Sequence, residues 1–90
     1  QSDILARIGG DEFVILQAGA SDTESIAKRT LSALAEPIAV AGGIVRVRAS
    51  IGIASYPENA DNLKDLLKMA DDAMYKVKNS GKNAFTFAQC

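Results

Sequence analysis

With 90 residues, 48% of them hydrophobic and 23% charged, the chain has the size and composition of one soluble globular domain. Its net charge of −1 offers no basic surface for DNA, RNA or a membrane, so we expect a small ligand. Cys90 is the single cysteine and excludes an internal disulfide, and no apolar run is long enough for a signal peptide or a membrane span. We therefore expect a cytoplasmic segment, with any membrane anchor in other domains of a longer protein.

The chain begins with two predicted strands joined by a glycine turn. Residues 4–8 are apolar apart from Arg7, and residues 13–16 form an unbroken apolar run. Such a run is typical of a central strand that is covered on both faces. Gly9 and Gly10 form the turn, which is therefore predicted to rest on a rigid pair of strands.

Two carboxylates, Asp11 and Glu12, follow the glycines directly. Glycine lets a ligand approach the backbone closely, and hard divalent cations prefer carboxylate oxygens, so this tip suits a nucleotide with its metal ion. The alternative is a hydrated hairpin turn with no further role, because glycine and acidic residues are common in turns.

Residues 21–36 show the period of an amphipathic helix. Ser21 or Asp22 can cap its first amides, and Pro37 stops the run. The polar face carries Arg29, which by its pattern alone indicates only a solvated surface.

A short strand at 38–40, a glycine turn at 42–43 and a longer strand at 44–54 are predicted next. Apolar and polar residues alternate in the longer strand, which predicts one buried face over its first half. Its small residues would let a helix or the turn pack closely against it. Arg46 and Arg48 either contact a phosphate or, in the simpler interpretation, face solvent at a sheet edge.

A loop at 56–61 leads to a second helix, whose cap is predicted at Asn62 with Asp65 three residues on. Asp61, Asp65, Asp71 and Asp72 lie early and Lys76 and Lys78 lie late, the order that complements the helix dipole. Gly81 ends the helix, and residues 83–88 are predicted to form the last strand.

The pentapeptide Gly-Gly-Asp-Glu-Phe at 9–13, preceded by Ala-Arg-Ile, resembles the signature of the GGDEF family, the bacterial diguanylate cyclases. Residues 66–83 are similar to the family's C-terminal helix and contain its Ala-Asp-x-Ala-x-Tyr-x-x-Lys-x-x-Gly-Lys-Asn pattern, and residues 50–52 resemble its Ser-x-Gly strand. The resemblance implies an α+β fold with an antiparallel or mixed sheet and flanking helices, as in the palm-like (ferredoxin-like) nucleotidyl cyclases.

The resemblance also implies a site for GTP and for Mg²⁺ or Mn²⁺. Asp11 matches the signature carboxylate that holds metal and helps to deprotonate the attacking hydroxyl, and Glu12 is the adjacent acid that supports the metal. The glycines would let phosphate and sugar lie against the backbone. Lysines at a helix end usually meet exposed carbonyls, but here they match residues that bind the terminal phosphates of GTP. These substrate-binding positions are Gly9, Gly10, Lys78 and Lys82.

Part of the family's inhibitory product site is implied as well. Asp3 lies at the offset of the aspartate in its Arg-x-x-Asp motif, and Arg29 matches a second arginine that holds cyclic di-GMP. A guanidinium suits this task because it can bind phosphate in two-pronged fashion and stack on guanine. The first arginine would fall immediately before Gln1, so the site is incomplete in this sequence.

The implied reaction condenses two GTP molecules to cyclic di-GMP with release of pyrophosphate. Each 3′-hydroxyl attacks the α-phosphate of the other nucleotide, so two facing domains are required, and the resemblance implies a homodimer. A fused sensory or regulatory domain is expected in the parent protein.

Residues 1–90 are expected to form a partial GGDEF domain that lacks its N-terminal half. That half holds the family's opening core strand with a metal-binding aspartate and the residues that read guanine. We therefore expect this chain alone to bind magnesium weakly and to lack cyclase activity, and we expect the strand at 13–16 to have an unpaired edge. The rival functions are a non-catalytic module that binds a guanine nucleotide or cyclic di-GMP, and another palm-type nucleotidyl transferase.

Overall fold

The structure is a computed structural model that describes residues 2–18, 22–45 and 48–88, with only the backbone described at positions 2 and 3. Its helices and strands follow the predicted order with one division that was not predicted. In chain order the elements are β1 Ser2–Arg7, β2 Glu12–Ala18, α1 Thr23–Leu34, β3 Ile38–Val40, β4 Gly43–Val45, β5 Ser50–Tyr56, α2 Leu63–Asn79 and β6 Ala84–Phe87.

Four strands form the main sheet in the order β1-β2-β5-β6, and β3 and β4 form a separate two-stranded sheet. β1 and β2 are antiparallel, whereas β2 and β6 both run parallel to β5. The α+β class and the mixed sheet are thereby confirmed. None of the helices in the described part of the chain is long and apolar enough to cross a membrane.

The helices cover opposite faces of the main sheet. Val14 and Leu16 pack in one buried cluster with Met74 of α2, whereas Ile15 packs in another with Ala27 of α1. Alternate residues of a strand point to opposite faces, so this division follows from the pleat of β2. The prediction that 13–16 is a central strand covered on both faces is confirmed.

The predicted unpaired edge beside residues 13–16 is wrong. β1 pairs with one side of β2 and β5 with the other, with Phe13 opposite Ile51 and Ile15 opposite Ile53. Five β5 residues in a row, 50–54, are buried, so β5 brings the apolar surface that β2 needs on that side. The backbone amides and carbonyls of β2 therefore have hydrogen-bond partners within the chain.

The single strand predicted at 44–54 is also wrong, because the structure divides it into β4 and β5. Positive φ angles at Gly42 (96°) and Gly43 (155°) fold β4 back onto β3, so it pairs there and not in the main sheet. Ile44 and Val45 are 66% and 46% exposed, which contradicts a buried face over this part. Arg46 lies outside the described residues.

Both helices begin at their predicted caps. The Asp22 carboxylate accepts from the Ser25 amide at 3.3 Å, and Asn62 Oδ1 accepts from the Asp65 amide at 2.9 Å. α1 ends at Leu34, two residues before the predicted end, and the alternative cap Ser21 lies outside the described residues. α2 ends at Asn79, and Gly81 follows with a φ of 117°.

Candidate functional site

The turn between β1 and β2 is held from both sides by hydrogen bonds. Within the backbone, the amides of Ile8 and Gly9 donate to the Glu12 carbonyl at 2.7 and 3.2 Å. From the side, the Arg7 guanidinium donates through Nε to the Gly9 carbonyl at 3.0 Å and through Nη2 to the Gly10 carbonyl at 2.9 Å. Arg7 therefore fixes the conformation of the turn, a role that the sequence analysis missed. Its signal was the single charge in an apolar strand, two residues before the first glycine.

Glycine at position 9 makes room for the side chain of Glu12. A methyl group built on Gly9 would overlap Glu12 Oε1, and nothing lies within 4 Å of one built on Gly10. The Glu12 side chain folds back beside the turn and is only 14% exposed. The first glycine thus leaves room for the Glu12 carboxylate in its present position, and the second glycine leaves the backbone open.

Both acidic side chains are paired with lysines from the far end of the chain. Lys82 Nζ donates to Asp11 Oδ2 at 2.6 Å, and Lys78 Nζ donates to Glu12 Oε2. The lysine side chains are 38% and 36% exposed, so the two ion pairs lie at the surface of the sheet end. The alternative interpretation, in which these lysines contact free carbonyls at the helix end, does not hold, because their ammonium groups bind the carboxylates of Asp11 and Glu12.

The ion pairs shift the protonation equilibria of the site toward the charged forms. The hydrogen bond from Lys82 holds the pKa of the Asp11 carboxyl below its usual value, against an opposing effect of desolvation. The hydrogen bond to Glu12 raises the pKa of the Lys78 ammonium. Lys78 Nζ also lies 5.6 Å from the centroid of the Tyr75 ring, a cation–π distance.

Lys82→Gln is expected to raise the pKa of the Asp11 carboxyl toward the usual value of about 3.9, because its main stabilising hydrogen bond is lost. Since the folded-state pKa of Asp11 is depressed, its contribution to stability is fully present above the unfolded-state pKa and is lost as the pH falls through the folded-state pKa. A ¹³C NMR titration of the Asp11 carboxyl measures the shift. Lys76→Gln is the matched control, and equal pKa values in both variants would contradict the pairing.

Lys82 reaches Asp11 because the chain turns sharply after α2. Gly81, Lys82 and Asn83 all have positive φ angles, of 117°, 63° and 56°. A left-handed conformation costs a residue such as lysine roughly 1–2 kcal/mol, and the surrounding contacts must offset this cost. The Lys82 amide donates to the Val77 carbonyl at 3.0 Å, and Arg48 Nη2 donates to the Gly81 carbonyl at 3.0 Å.

Arg48 therefore holds the turn that presents Lys82. Arg48 is exposed, as the solvent-facing interpretation predicts, but that interpretation did not include the hydrogen bond to Gly81. The phosphate contact stays a prediction. The sequence held no signal for this contact, since Arg48 and Gly81 are 33 residues apart.

Ser50 joins the hairpin tip to the start of β5. Its amide donates to the Asp11 carbonyl at 2.8 Å, and its Cα lies opposite that of Glu12 in the ladder. The side chain is fully buried, and Ser50 Oγ has no hydrogen-bond partner in the described part of the chain. A buried hydroxyl without a partner is uncommon in a folded protein, so Ser50 is a further candidate member of the site.

The structure thus brings six of the predicted site residues to one end of the main sheet. They are Gly9, Gly10, Asp11, Glu12, Lys78 and Lys82. Arg29 lies elsewhere, exposed on α1, beside a groove that Leu5 and Phe13 also line. The side chain of Asp3 lies outside the described residues, so the predicted inhibitory site stays a prediction.

The two carboxylates fit a magnesium ion in donor type. Magnesium is commonly held by one or two carboxylates together with water and the phosphates of a substrate, and less often by a cage of protein ligands alone. Among residues 2–18, 22–45 and 48–88 there is no group of three or more acidic, histidine or cysteine side chains that could hold a metal ion.

Comparison with known proteins supports the resemblance over nearly the whole chain. The family model described as diguanylate cyclase, GGDEF domain, matches residues 1–84. Three relatives from Pseudomonas aeruginosa are similar. The bifunctional diguanylate cyclase/cyclic di-GMP phosphodiesterase MucR is 38% identical over 94% of the chain, and the diguanylate cyclase TpbB is 39% identical over 99%. The cyclic di-GMP phosphodiesterase NbdA is 35% identical over 96% of the chain. The chain spans only 13%, 21% and 11% of their respective lengths.

A solved structure gives the same assignment. The X-ray structure of an EAL/GGDEF domain protein from M. capsulatus is similar with a TM-score of 0.75 at 37% identity, over 98% of this chain and 59% of that one. The fold, the signature turn and the family match agree, and this chain belongs to the GGDEF family.

Proposed function

We propose that the chain forms the catalytic sheet end of a diguanylate cyclase domain, which condenses two GTP molecules to cyclic di-GMP and pyrophosphate. The observation that carries the proposal is the convergence of two carboxylates and two lysines at the signature turn. The paired residues lie 66 and 71 positions apart in the chain, so neither local turn chemistry nor helix capping accounts for their meeting. Acidic groups beside basic groups suit a substrate that carries both a metal ion and phosphates.

Each residue of the site has a defined role in the proposal. Asp11 and Glu12 would hold Mg²⁺ or Mn²⁺, and Asp11 would also accept the proton of the attacking 3′-hydroxyl. Lys78 and Lys82 would bind the terminal phosphates, and the open backbone at Gly10 would let the nucleotide lie close to the turn. When bound, the metal ion supplies positive charge that lowers the pKa of the hydroxyl and stabilises the charge on the phosphate.

The assembly and setting are proposed from the reaction. Two copies, each with one GTP, must face each other because each nucleotide attacks the other, so the active form is a homodimer. The substrate GTP implies a cytoplasmic location. The chain spans 21% or less of the three curated relatives, and a fused sensory or regulatory domain is part of the proposal.

Product formation from GTP and Mg²⁺ tests the proposal. The assay uses chromatography on two proteins, this chain and a longer form that adds the upstream half of a family domain. We expect cyclic di-GMP from the longer form alone, because the guanine-reading residues and a further metal aspartate are expected upstream. A longer form that is folded and dimeric but makes no product would refute the cyclase proposal.

The second candidate is a regulatory module that binds a nucleotide or cyclic di-GMP without turnover. The match to NbdA favours it, because a relative named as a phosphodiesterase contains a similar segment. The intact pair of Asp11 and Glu12 favours the cyclase, since a module without catalysis has no need of both acids. Equilibrium dialysis of cyclic di-GMP against the longer form separates the two: retention of the dinucleotide without turnover of GTP would support the module.

A further inference from the structure

We propose that a divalent cation and a polyphosphate enter this site together, by exchanging partners with the two lysine–carboxylate pairs. The inference rests on the proposed function and concerns how the same site is loaded. Its starting point is the pairing of Asp11 with Lys82 and of Glu12 with Lys78.

The four side chains form a self-neutralised cluster. Two negative and two positive groups face each other pairwise, with 2.6 Å between Lys82 Nζ and Asp11 Oδ2. No third acidic, histidine or cysteine side chain of the described residues joins them to make a metal-binding group. Apart from the Arg7 guanidinium, which lies on the Gly9 and Gly10 carbonyls, the charges at the turn are therefore compensated in pairs.

A ligand of one charge sign alone must break these pairs without replacing them. A cation that takes the carboxylates leaves two ammonium groups beside it, and a polyphosphate that takes the ammonium groups leaves two carboxylates beside it. In both cases like charges are brought together at short range. When both ligands bind, the carboxylates turn to the cation and the lysines to the phosphate, so every charge keeps an opposite partner.

The side chains are placed so that this exchange is possible. Lys78 and Lys82 are more than one third exposed and have flexible stems, so their ammonium groups can move without disturbing the fold. Glu12 is largely buried, but Ser50 lies opposite it in the ladder with a hydroxyl that has no partner among the described residues. Ser50 and Gly52 of β5 point to the face of the main sheet that α2 covers. Glu12 of β2 points to the same face, because it lies two residues before Val14. The Ser50 hydroxyl can thus donate a hydrogen bond to the Glu12 carboxylate, directly or through a water molecule, once Lys78 leaves.

Binding of Mn²⁺ alone, measured by electron paramagnetic resonance on the 90-residue chain, tests the first half of the exchange. The double variant K78Q/K82Q should bind Mn²⁺ about tenfold more tightly than the unchanged chain, because its carboxylates are released. The matched control K64Q/K68Q removes two exposed lysines from the first half of α2 and has the same net charge. It should bind Mn²⁺ within about twofold of the unchanged chain, since long-range effects of surface charge are screened by salt.

Binding of inorganic triphosphate without metal, measured by calorimetry, tests the second half. D11N/E12Q should bind it about tenfold more tightly than the unchanged chain, because both lysines are then free. The control D61N/D72N, with the same charge change at two exposed positions, should differ from the unchanged chain by about twofold at most. Circular dichroism verifies that each variant keeps the fold.

Equal affinities in the site variants and their controls would overturn the proposal, and so would a K78Q/K82Q chain that binds no Mn²⁺. Neither assay requires turnover. A chain that shows the coupling but makes no cyclic di-GMP in its longer form would retain the loading mechanism and lose the cyclase proposal. A longer form that makes cyclic di-GMP but shows no such coupling would retain the cyclase proposal and lose the loading mechanism.

Discussion

Gly52→Ala is expected to lower the free energy of unfolding by about 3 kcal/mol, the upper end of what overpacking a core usually costs. A methyl group built on Gly52 would overlap the Ala70 carbonyl oxygen and lie 2.5 Å from the Met74 amide nitrogen. Both atoms belong to the backbone of α2, which cannot rotate away as the end of a side chain can. The helix must therefore shift away from β5 and loosen its buried contacts. Urea denaturation followed by circular dichroism measures the change.

Gly10→Ala is the control for this prediction. No atom lies within 4 Å of a methyl group built there, so the free energy of unfolding should change by no more than about 0.5 kcal/mol. Alanine also restricts the unfolded chain by a similar amount at either position, so the difference between the variants isolates the clash. The same urea midpoint for both variants would show that α2 does not approach β5 as closely as this.

The helices and the signature turn could be predicted from the sequence because local rules determine them. Asn62 is the cap of α2 because its side chain accepts from an amide three residues on, and this contact needs no other part of the chain. In this case the physical cause lies within a few residues of the pattern that reveals it. Gly52 is different: its small size indicates that a helix or the turn packs closely, but its neighbours, Ala70 and Met74 of α2, lie far away in the sequence.

Strand partners could not be predicted in the same way. Alternation within 44–54 indicates which residues share a face, but it does not tell which strand lies beside them. β4 returns to β3 through two glycines with positive φ, whereas β5 inserts between β2 and β6. The pairing of Phe13 with Ile51 depends on surface that both strands bury together, and no local pattern records it.

In the candidate site, too, some features follow from local sequence and others depend on contacts between distant residues. The resemblance indicated both its acids and its lysines, but no local pattern indicated that Lys82 would lie on Asp11. The arginines were harder, because their targets are backbone carbonyls. Arg7 holds the Gly9 and Gly10 carbonyls, and Arg48 holds that of Gly81. Carbonyls are present at every residue, so sequence cannot indicate which one an arginine will meet.

Asp11→Asn should reduce cyclic di-GMP formation by the longer form about 10³-fold, the range expected when a general base is removed. The amide keeps the size of the side chain but can neither accept the proton of the 3′-hydroxyl nor offer a charged ligand to a metal ion. The backbone carbonyl of Asp11 still accepts from the Ser50 amide, so the hairpin tip should keep its place on the sheet. Chromatographic product assays at saturating GTP measure the loss, and thermal unfolding verifies the fold.

Asp61→Asn is the matched control for that loss, since Asp61 is an exposed acid in the loop before α2. It should leave product formation within about twofold of the unchanged protein, as expected for a surface substitution away from the site. Because Lys82 loses its partner in Asp11→Asn, the ammonium group becomes available to phosphate, and GTP should still bind. Normal turnover with Asn at position 11 would assign the proton transfer to another group, and loss of GTP binding would place Asp11 in substrate recognition rather than in the chemical step.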